Sequence, residues 1–331
     1  MTGLKACTTF AQTSAQTSAR TSAQTSLAPA LSEAFGVAQA ESKGISLVQL
    51  AEIARVLEPQ LSPDGRSVAY MLATADWTLN RLSYHLWRQN TTGGAPVALT
   101  SGAPGEIPGN TRWSPDGSSI LFARAGQLML IPASGGDARA VTKHATNVAA
   151  PAWSPDGRTI YFTAQDPPTA ADRERERLRD DLAAFEENAR LRHLWSVSVA
   201  TGDEKQLTSG NLTVASYRLS RDGKQIVLER APTPIADDAH KGEVWLMNAD
   251  GTGARQVTRN NVEEQQPELS PDGTQILFIS DTNDKFEPYY NTDLFVMPVA
   301  GGTPKPAIAS FPYAVDQASW APDGRTIRTG G

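Results

Sequence analysis

Six copies of one tetrapeptide run through the chain and leave little freedom in what it can fold into. They are Ser62-Pro63-Asp64-Gly65, Ser114-Pro115-Asp116-Gly117, Ser154-Pro155-Asp156-Gly157, Ser220-Arg221-Asp222-Gly223, Ser270-Pro271-Asp272-Gly273 and Ala321-Pro322-Asp323-Gly324. This is the chemistry of a tight turn: proline presets φ at the second place, aspartate suits the third, and glycine relieves crowding at the fourth. A large apolar residue precedes every copy (Leu61, Trp113, Trp153, Leu219, Leu269, Trp320). A period-two pair follows five of them: Val68 and Tyr70, Ile120 and Phe122, Ile160 and Phe162, Ile226 and Leu228, Ile276 and Phe278. Each turn therefore joins two strands that bury one face.

A second hairpin follows in each complete unit. His85-Leu86-Trp87, Gln127-Leu128-Met129, His193-Leu194-Trp195, Glu243-Val244-Trp245 and Asp293-Leu294-Phe295 each lead into a glycine-bearing turn, such as Gly93-Gly94 or Gly135-Gly136. Leu99-Thr100, Val141-Thr142, Leu207-Thr208 and Val257-Thr258 then close a fourth strand. Four antiparallel strands every ~40 to 45 residues is the period of a propeller blade. The expected fold is all-β: a β-propeller of four-stranded antiparallel blades, about five plus part of a sixth. The gap between turn serines widens from 40 residues (Ser114 to Ser154) to 66 (Ser154 to Ser220), which predicts a short helical insertion in the third blade at about 170–190.

Composition agrees. The 26 glycines and 22 prolines are largely turn residues, and 40% hydrophobic content in 331 residues suffices for a sizeable core. A net charge of -6 gives no basic footprint for nucleic acid. No apolar run approaches the ~18 residues of a membrane-spanning helix, and the lone Cys7 has no disulfide partner in the chain. Residues 1–45 read as a disordered low-complexity leader or a degenerate signal region. AQTS-type repeats fill 11–26, and Ala38-Gln39-Ala40 has the form of a cleavage site. Periplasmic or secreted and cytoplasmic locations both stay open. From Ser46 to Val56, Leu47, Leu50, Ile53 and Ala54 recur at helical spacing, which predicts a short amphipathic helix.

The repeat resembles the Ser-Pro-Asp-Gly propellers of the translocation protein TolB and of the prolyl oligopeptidase family of serine peptidases. Three further stretches resemble the dipeptidyl aminopeptidase and acylaminoacyl-peptidase branch of that family: Ile53 through Gly65, Asp76-Trp77-Thr78-Leu79-Asn80-Arg81, and the acidic insertion ending in Phe185-Glu186-Glu187-Asn188. Such peptidases carry an α/β-hydrolase domain after the propeller, with its serine in a G-x-S-x-G elbow. No G-x-S-x-G occurs in this sequence. The expectation is an incomplete propeller over 46–331 with the hydrolase domain absent, from a truncated gene or a longer protein. Such an open arc is expected to be marginally stable. No catalytic residue, metal ligand or cofactor is assigned. The resemblance implies gating and orientation of short peptides for Ser-His-Asp chemistry located elsewhere. A TolB-like protein-binding propeller, or the leading propeller of an amidohydrolase, are the competing readings.

One candidate site emerges. Leu178, Leu182, Phe185 and Ala189 share a helical face within the insertion, beside a run of alternating charge. By the resemblance, Glu186 and Glu187, with Asp180 or Asp181, would bind the free α-amino group of a peptide through charge-assisted hydrogen bonds. The alternative is a solvated helix whose Glu and Arg residues pair at i,i+4. His85 and His193 hold equivalent repeat positions and read as strand residues. Asp281-Thr282-Asn283-Asp284 reads as a turn, because Lys285 stands where a cation loop needs another oxygen ligand.

Overall fold

The computed structural model describes residues 44–101, 108–180, 189–260, 262–283, 287–308 and 313–330. Contacts divide the chain into Met1–Leu50 and Ala51–Gly331. At the junction lies a five-residue helix, Leu47–Ala51, with no buried residue. The helix expected over Ser46 to Val56 is shorter and has no buried face: Leu47 and Leu50 are exposed, and from Arg55 the chain is a strand paired with the next one. A ladder of backbone hydrogen bonds fixes several residues cooperatively, and here it outweighs four apolar residues at helical spacing with nothing to pack on.

Ala51–Gly331 consists, among its described residues, of five four-stranded antiparallel sheets and one of two strands. Blade 1 has strands Arg55–Leu61, Ser67–Asp76, Arg81–Asn90 and Val97–Ala98. Blades 2 to 5 repeat the plan from first strands Gly109–Trp113, Val148–Trp153, Thr213–Leu219 and Glu264–Leu269. Blade 6 pairs Gln317–Trp320 with Ile327–Gly330. Within every four-stranded blade the spatial order of strands is the chain order.

The repeated tetrapeptide makes the turn between first and second strands, and each residue type has a reason. The serine hydroxyl donates to the aspartate at 2.5–2.7 Å in blades 1 to 5. It also accepts the amide N–H five residues on, at 2.9–3.0 Å. One buried hydroxyl thus ties both ends of the turn. In blade 6, where Ala321 has no hydroxyl, the Thr326 amide turns to Asp323 instead. The glycine adopts a positive φ of 65–72° in all six turns. Its open side lies over the proline of the preceding blade: Gly117 over Pro63, Gly157 over Pro115, Gly223 over Pro155 and Gly324 over Pro271. Gly273 has nothing there, because the preceding turn carries Arg221 in place of proline. The turns therefore stack from blade to blade along one rim.

First strands lie side by side between blades 1 and 2, 2 and 3, 4 and 5, and 5 and 6. They form one shared edge of the packed blades. Tyr217 Oη on blade 4 donates to the Ala150 carbonyl of blade 3 at 2.6 Å, and Trp113 Nε1 of blade 2 donates to the Gln60 carbonyl of blade 1 at 2.9 Å. A bulge interrupts the first strand of blades 1 to 5. In four of them the residue four before the turn serine or its equivalent is left-handed without being glycine: Glu58, Asn110, Ala150 and Gln266, with φ of 48–54°. A threonine after the fourth strand closes each of the first four blades. Thr100, Thr142, Thr208 and Thr258 accept the backbone N–H of Leu86, Leu128, Leu194 and Val244 at 2.8–2.9 Å.

The core lies between blades. Ala69, Leu86 and Leu99 of blade 1 meet Ile120, Phe122 and Met129 of blade 2. The same columns meet at the later seams. The aromatic column before the turns is part of this packing, with Trp113, Trp153 and Trp320 each set against a core cluster.

Candidate functional site

The rim opposite the turns carries the second-to-third strand connections, and these differ from blade to blade. Blade 2 uses only Ala125 and Gly126, both with positive φ, as a two-residue hairpin requires. Blade 3 inserts 166–191, blade 4 inserts 232–242 and blade 5 inserts 283–287. The blade 3 insertion contains the helix Ala170–Leu178, opened by a capping box in which Thr169 and Asp172 bond each other's backbone. This helix buries no residue, and Arg177 pairs with Glu174 on its exposed side. Asp180 is exposed at its end. Asp181, Glu186 and Glu187 lie outside the described residues, as do Leu182 and Phe185 of the expected face.

Where the insertion returns to blade 3 at Arg192, a cavity of about 230 Å³ opens between blades 3, 4 and 5. Arg192 enters it from blade 3, Thr213, Glu229 and Ile235 from blade 4, and Glu263 from blade 5. The Arg192 amide donates to Thr213 Oγ1 at 3.0 Å, which fixes the cavity's blade 3 edge to blade 4. Glu229 is only 6% exposed. Ser216 Oγ donates to its Oε2 at 2.9 Å, and the Gln266 amide at the blade 5 bulge donates to it as well. Burial nevertheless pushes the Glu229 carboxyl up to about 7, with the neighbouring Glu263 charge adding to the shift. Glu263 is itself raised, first by burial and then by Asp281, while His240 pulls the other way.

A second buried carboxylate follows Glu263 at the start of the first strand of blade 5. Glu264, fully buried, accepts from Thr258 Oγ1 and from Asn260 Nδ2 at 2.7 Å, and burial with Glu243 nearby pushes it up to about 7. Glu243 Oε1 accepts the Asn260 amide at 2.6 Å. The rim above blades 4 and 5 thus gathers four glutamates, two of them divided between protonated and ionised near neutrality. A carboxyl in that state can donate or accept a hydrogen bond. The arrangement suits a small donor-bearing or cationic group on an apolar stem, with Val214, Ala231 and Ile235 supplying the apolar wall. None of these residues stood out as a motif in the sequence. The available signal was positional, since Glu229 occupies a place held by Met71, Ala123, Thr163 and Ile279 in the other blades.

The histidines have structural surroundings. His193, 3% exposed, lies with Nδ1 3.4 Å from Thr208 Oγ1 and Nε2 3.6 Å from Asp166, and burial lowers its pKa. His85 Nδ1 lies 3.4 Å from the Thr100 carbonyl at the equivalent position. His144 bonds Glu204 at 2.7 Å and meets the Trp195 and Phe162 rings edge-on. Asn283 Nδ2 donates to Glu287 Oε2 at 2.9 Å and its Oδ1 accepts the Glu287 amide at 3.0 Å, while Asp284 and Lys285 lie outside the described residues. Among the described residues no group of three His, Cys, Asp or Glu could hold a metal, and no helix is long and apolar enough to cross a membrane.

No protein-family model matches the chain. Three curated proteins are similar in sequence. An uncharacterized peptidase, YuxL of Bacillus subtilis, is 29% identical over 224 residues, covering 62% of this chain and 34% of YuxL. Dipeptidyl-peptidase 5 of Porphyromonas gingivalis is 23% identical over 305 residues, covering 83% and 44% respectively. The uncharacterized protein Atu1656 of Agrobacterium fabrum is 24% identical over 276 residues, covering 80% and 81%. The chain thus spans about a third of YuxL and less than half of the dipeptidyl-peptidase. Among solved structures, Pyrococcus horikoshii acylaminoacyl peptidase superposes with a TM-score of 0.57 at 18% identity, over 81% of this chain and 42% of that one. An oligogalacturonate lyase in complex with manganese superposes equally well, at 0.58 and 15% identity over 81% and 68%. At such identities superposition speaks for the fold alone. The chain is a β-propeller similar to those of peptidases.

Proposed function

We propose that this chain is the substrate-admitting propeller of a serine peptidase, which sorts and orients short peptides for Ser-His-Asp chemistry supplied by a hydrolase domain not encoded in these 331 residues. The observation that carries the reading is likeness in sequence to two proteins named peptidases, over a third and under half of their lengths. The insertion rim supports it, because long connections and buried carboxylates concentrate on that one edge of otherwise repetitive blades. Loops on a rigid scaffold are where binding groups gather. In this reading Glu186 and Glu187 hold the free α-amino group of the peptide, and the cavity lined by Arg192, Glu229 and Glu263 takes up a neighbouring part of it.

A TolB-like, non-enzymatic binding propeller is the second reading, favoured by one observation: the match to Atu1656 extends over 81% of that protein. Fluorescence anisotropy of the purified chain with short labelled peptides separates the two. Peptides with a free amino terminus are expected to bind, and acetylated ones at least ~10-fold more weakly, with Glu186→Gln/Glu187→Gln abolishing the difference. No binding of any short peptide, or binding indifferent to acetylation, overturns the peptidase reading. Turnover of dipeptidyl chromophores that is blocked by serine-directed reagents would overturn the assignment of catalysis to another domain.

A further inference from the structure

Three charged side chains line the cavity between blades 3, 4 and 5, and none has a counterion there. Among the described residues Glu229 and Glu263 form no ion pair with a cation, and Arg192 forms none with a carboxylate. Glu229 is buried all the same. A carboxyl held out of water without a cation beside it takes up a proton instead, and burial has pushed this one up to about 7.

The wall beside Glu229 is firmly built. It belongs to the 232–242 connection of blade 4, whose 3-10 helix Ala236–Lys241 is tied on both sides. Thr233 Oγ1 and Lys241 Nζ each donate to Asp238 at 2.6 Å, and the Gly242 amide donates to the Ala239 carbonyl at 2.8 Å. Two acceptors converge beside Gly242: a Cβ there would lie 3.0 Å from the Ala239 carbonyl oxygen and 3.1 Å from Glu229 Oε1. With glycine in place, no side chain crowds either oxygen. Val214, Ala231 and Ile235 give the same cavity its apolar surface.

Size, acceptors and charge together select the occupant. At about 230 Å³ the cavity is smaller than the ~300 to 1,000 Å³ of sites for drug-sized molecules, so it suits a single side chain. Neither carboxylate keeps two free oxygens for a planar guanidinium, because Glu229 Oε2 accepts Ser216 Oγ at 2.9 Å and Glu263 accepts the Gln265 side chain. An ammonium needs no such fork: its donors rotate, and its stem is apolar. Two ionised glutamates against the one positive charge of Arg192 leave room for one cation, and a second would meet Arg192 uncompensated. We propose that this cavity is the subsite for a lysine side chain of the bound peptide, its ammonium held by Glu229 and Glu263 and its stem by Val214, Ala231 and Ile235. The assignment rests on the reading of the chain as a peptide-admitting propeller and names the side chain that it selects. Binding displaces the proton of Glu229. The other charged groups around the glutamates are Asp281 on blade 5 and His240 on the 3-10 helix, which act on Glu263 in opposite directions.

Isothermal titration calorimetry of the full chain with Nα-acetyl-lysine N-methylamide tests this, because the probe lacks the α-amino group that Glu186 and Glu187 would take. It is expected to bind at least ~10-fold more tightly than its norleucine, arginine and Nε-acetyl-lysine counterparts. Titrations in buffers of different ionisation enthalpy should show about half a proton released at pH 7, since Glu229 titrates near there. Glu229→Gln should weaken binding at least ~10-fold and abolish the release. Glu263→Gln, at a half-buried position, should also weaken binding, and it carries the test should the first variant not fold. A norleucine probe that binds as well as lysine, or full affinity in both variants, overturns the subsite. The peptidase reading survives that result if peptides with a free amino terminus still bind. Cadaverine binding as tightly as the lysine probe would mean a site for free diamines and overturn the assignment to a peptide side chain.

Discussion

At the turn rim five serines make the same pair of hydrogen bonds, at 2.5–2.7 Å to the aspartate and 2.9–3.0 Å from the returning amide. At the opposite rim no two long connections are alike, and burial pushes Glu229 and Glu264 there up to about 7, while hydrogen bonds hold the turn aspartates low. The first rim repeats because each turn must fit the one before it. The second is relieved of that constraint, since its connections leave the blade after the strands have paired. Stability and variability are therefore segregated to opposite edges of one sheet.

Substitutions can break this division, and the largest effect is expected on the turn rim. Gly223→Ala forces an L-residue to φ +71° and sets its Cβ 2.6 Å from Pro155 Cδ, so a loss of roughly 3 to 4 kcal/mol is expected. Gly65→Ala, at the same φ with nothing within 4 Å, should cost only about 1 kcal/mol. Equal losses in thermal melts would refute turn stacking as the cause. On the insertion rim the expected signal is a pH slope. Glu229 titrates near 7 in the folded protein against 4.5 for the free carboxyl, so folding favours its protonated form. Its contribution is fully present below about pH 4.5 and lost as pH rises through 7. Glu229→Gln should remove up to roughly 3 kcal/mol of that dependence in denaturant titrations across pH 4–8. An unchanged slope would remove Glu229 from the account.

Ser154→Ala, which deletes both bonds of a buried turn hydroxyl, is expected to cost ~1 to 3 kcal/mol by chemical denaturation. Ser270→Ala should match it within ~0.5 kcal/mol if the turns are truly equivalent. The smallest effect should come from the largest change. Replacing 166–191 by the Ala-Gly link of blade 2 joins Gln165 to Arg192, which already face each other as a pair, and should alter stability by less than ~1 kcal/mol while abolishing peptide binding. A large destabilisation would show that the insertion belongs to the scaffold.

The blades were legible in the sequence because their determinants are local and repeated: a turn whose four residues each have a stereochemical duty, followed by alternation of period two. Strand order, the two-stranded sixth blade and the core columns follow from them. The helix expected over Ser46 to Val56 stops at Ala51 because periodicity says nothing of the partner strand, Ser67–Asp76, that claims the chain from Arg55. The cavity was invisible for a different reason. Arg192, Glu229 and Glu263 come from three blades, and only the packing of those blades brings them together. Aligning blade positions instead of motifs would have exposed Glu229 and Glu264 as carboxylates in columns otherwise apolar or small.

The left-handed bulge residues carry a consequence for engineering. Glu58, Asn110, Ala150 and Gln266 each occupy backbone conformations that cost a side-chain-bearing residue ~1 kcal/mol or more. Two of them recover something across a seam, Glu58 from the Thr111 amide and Gln266 through the Asp316 carbonyl. Ala150 offers the next blade only its carbonyl, which any residue would supply. It is therefore a reserve of unspent stability, and glycine at 150 should raise the melting temperature where glycine at 58 should lower it.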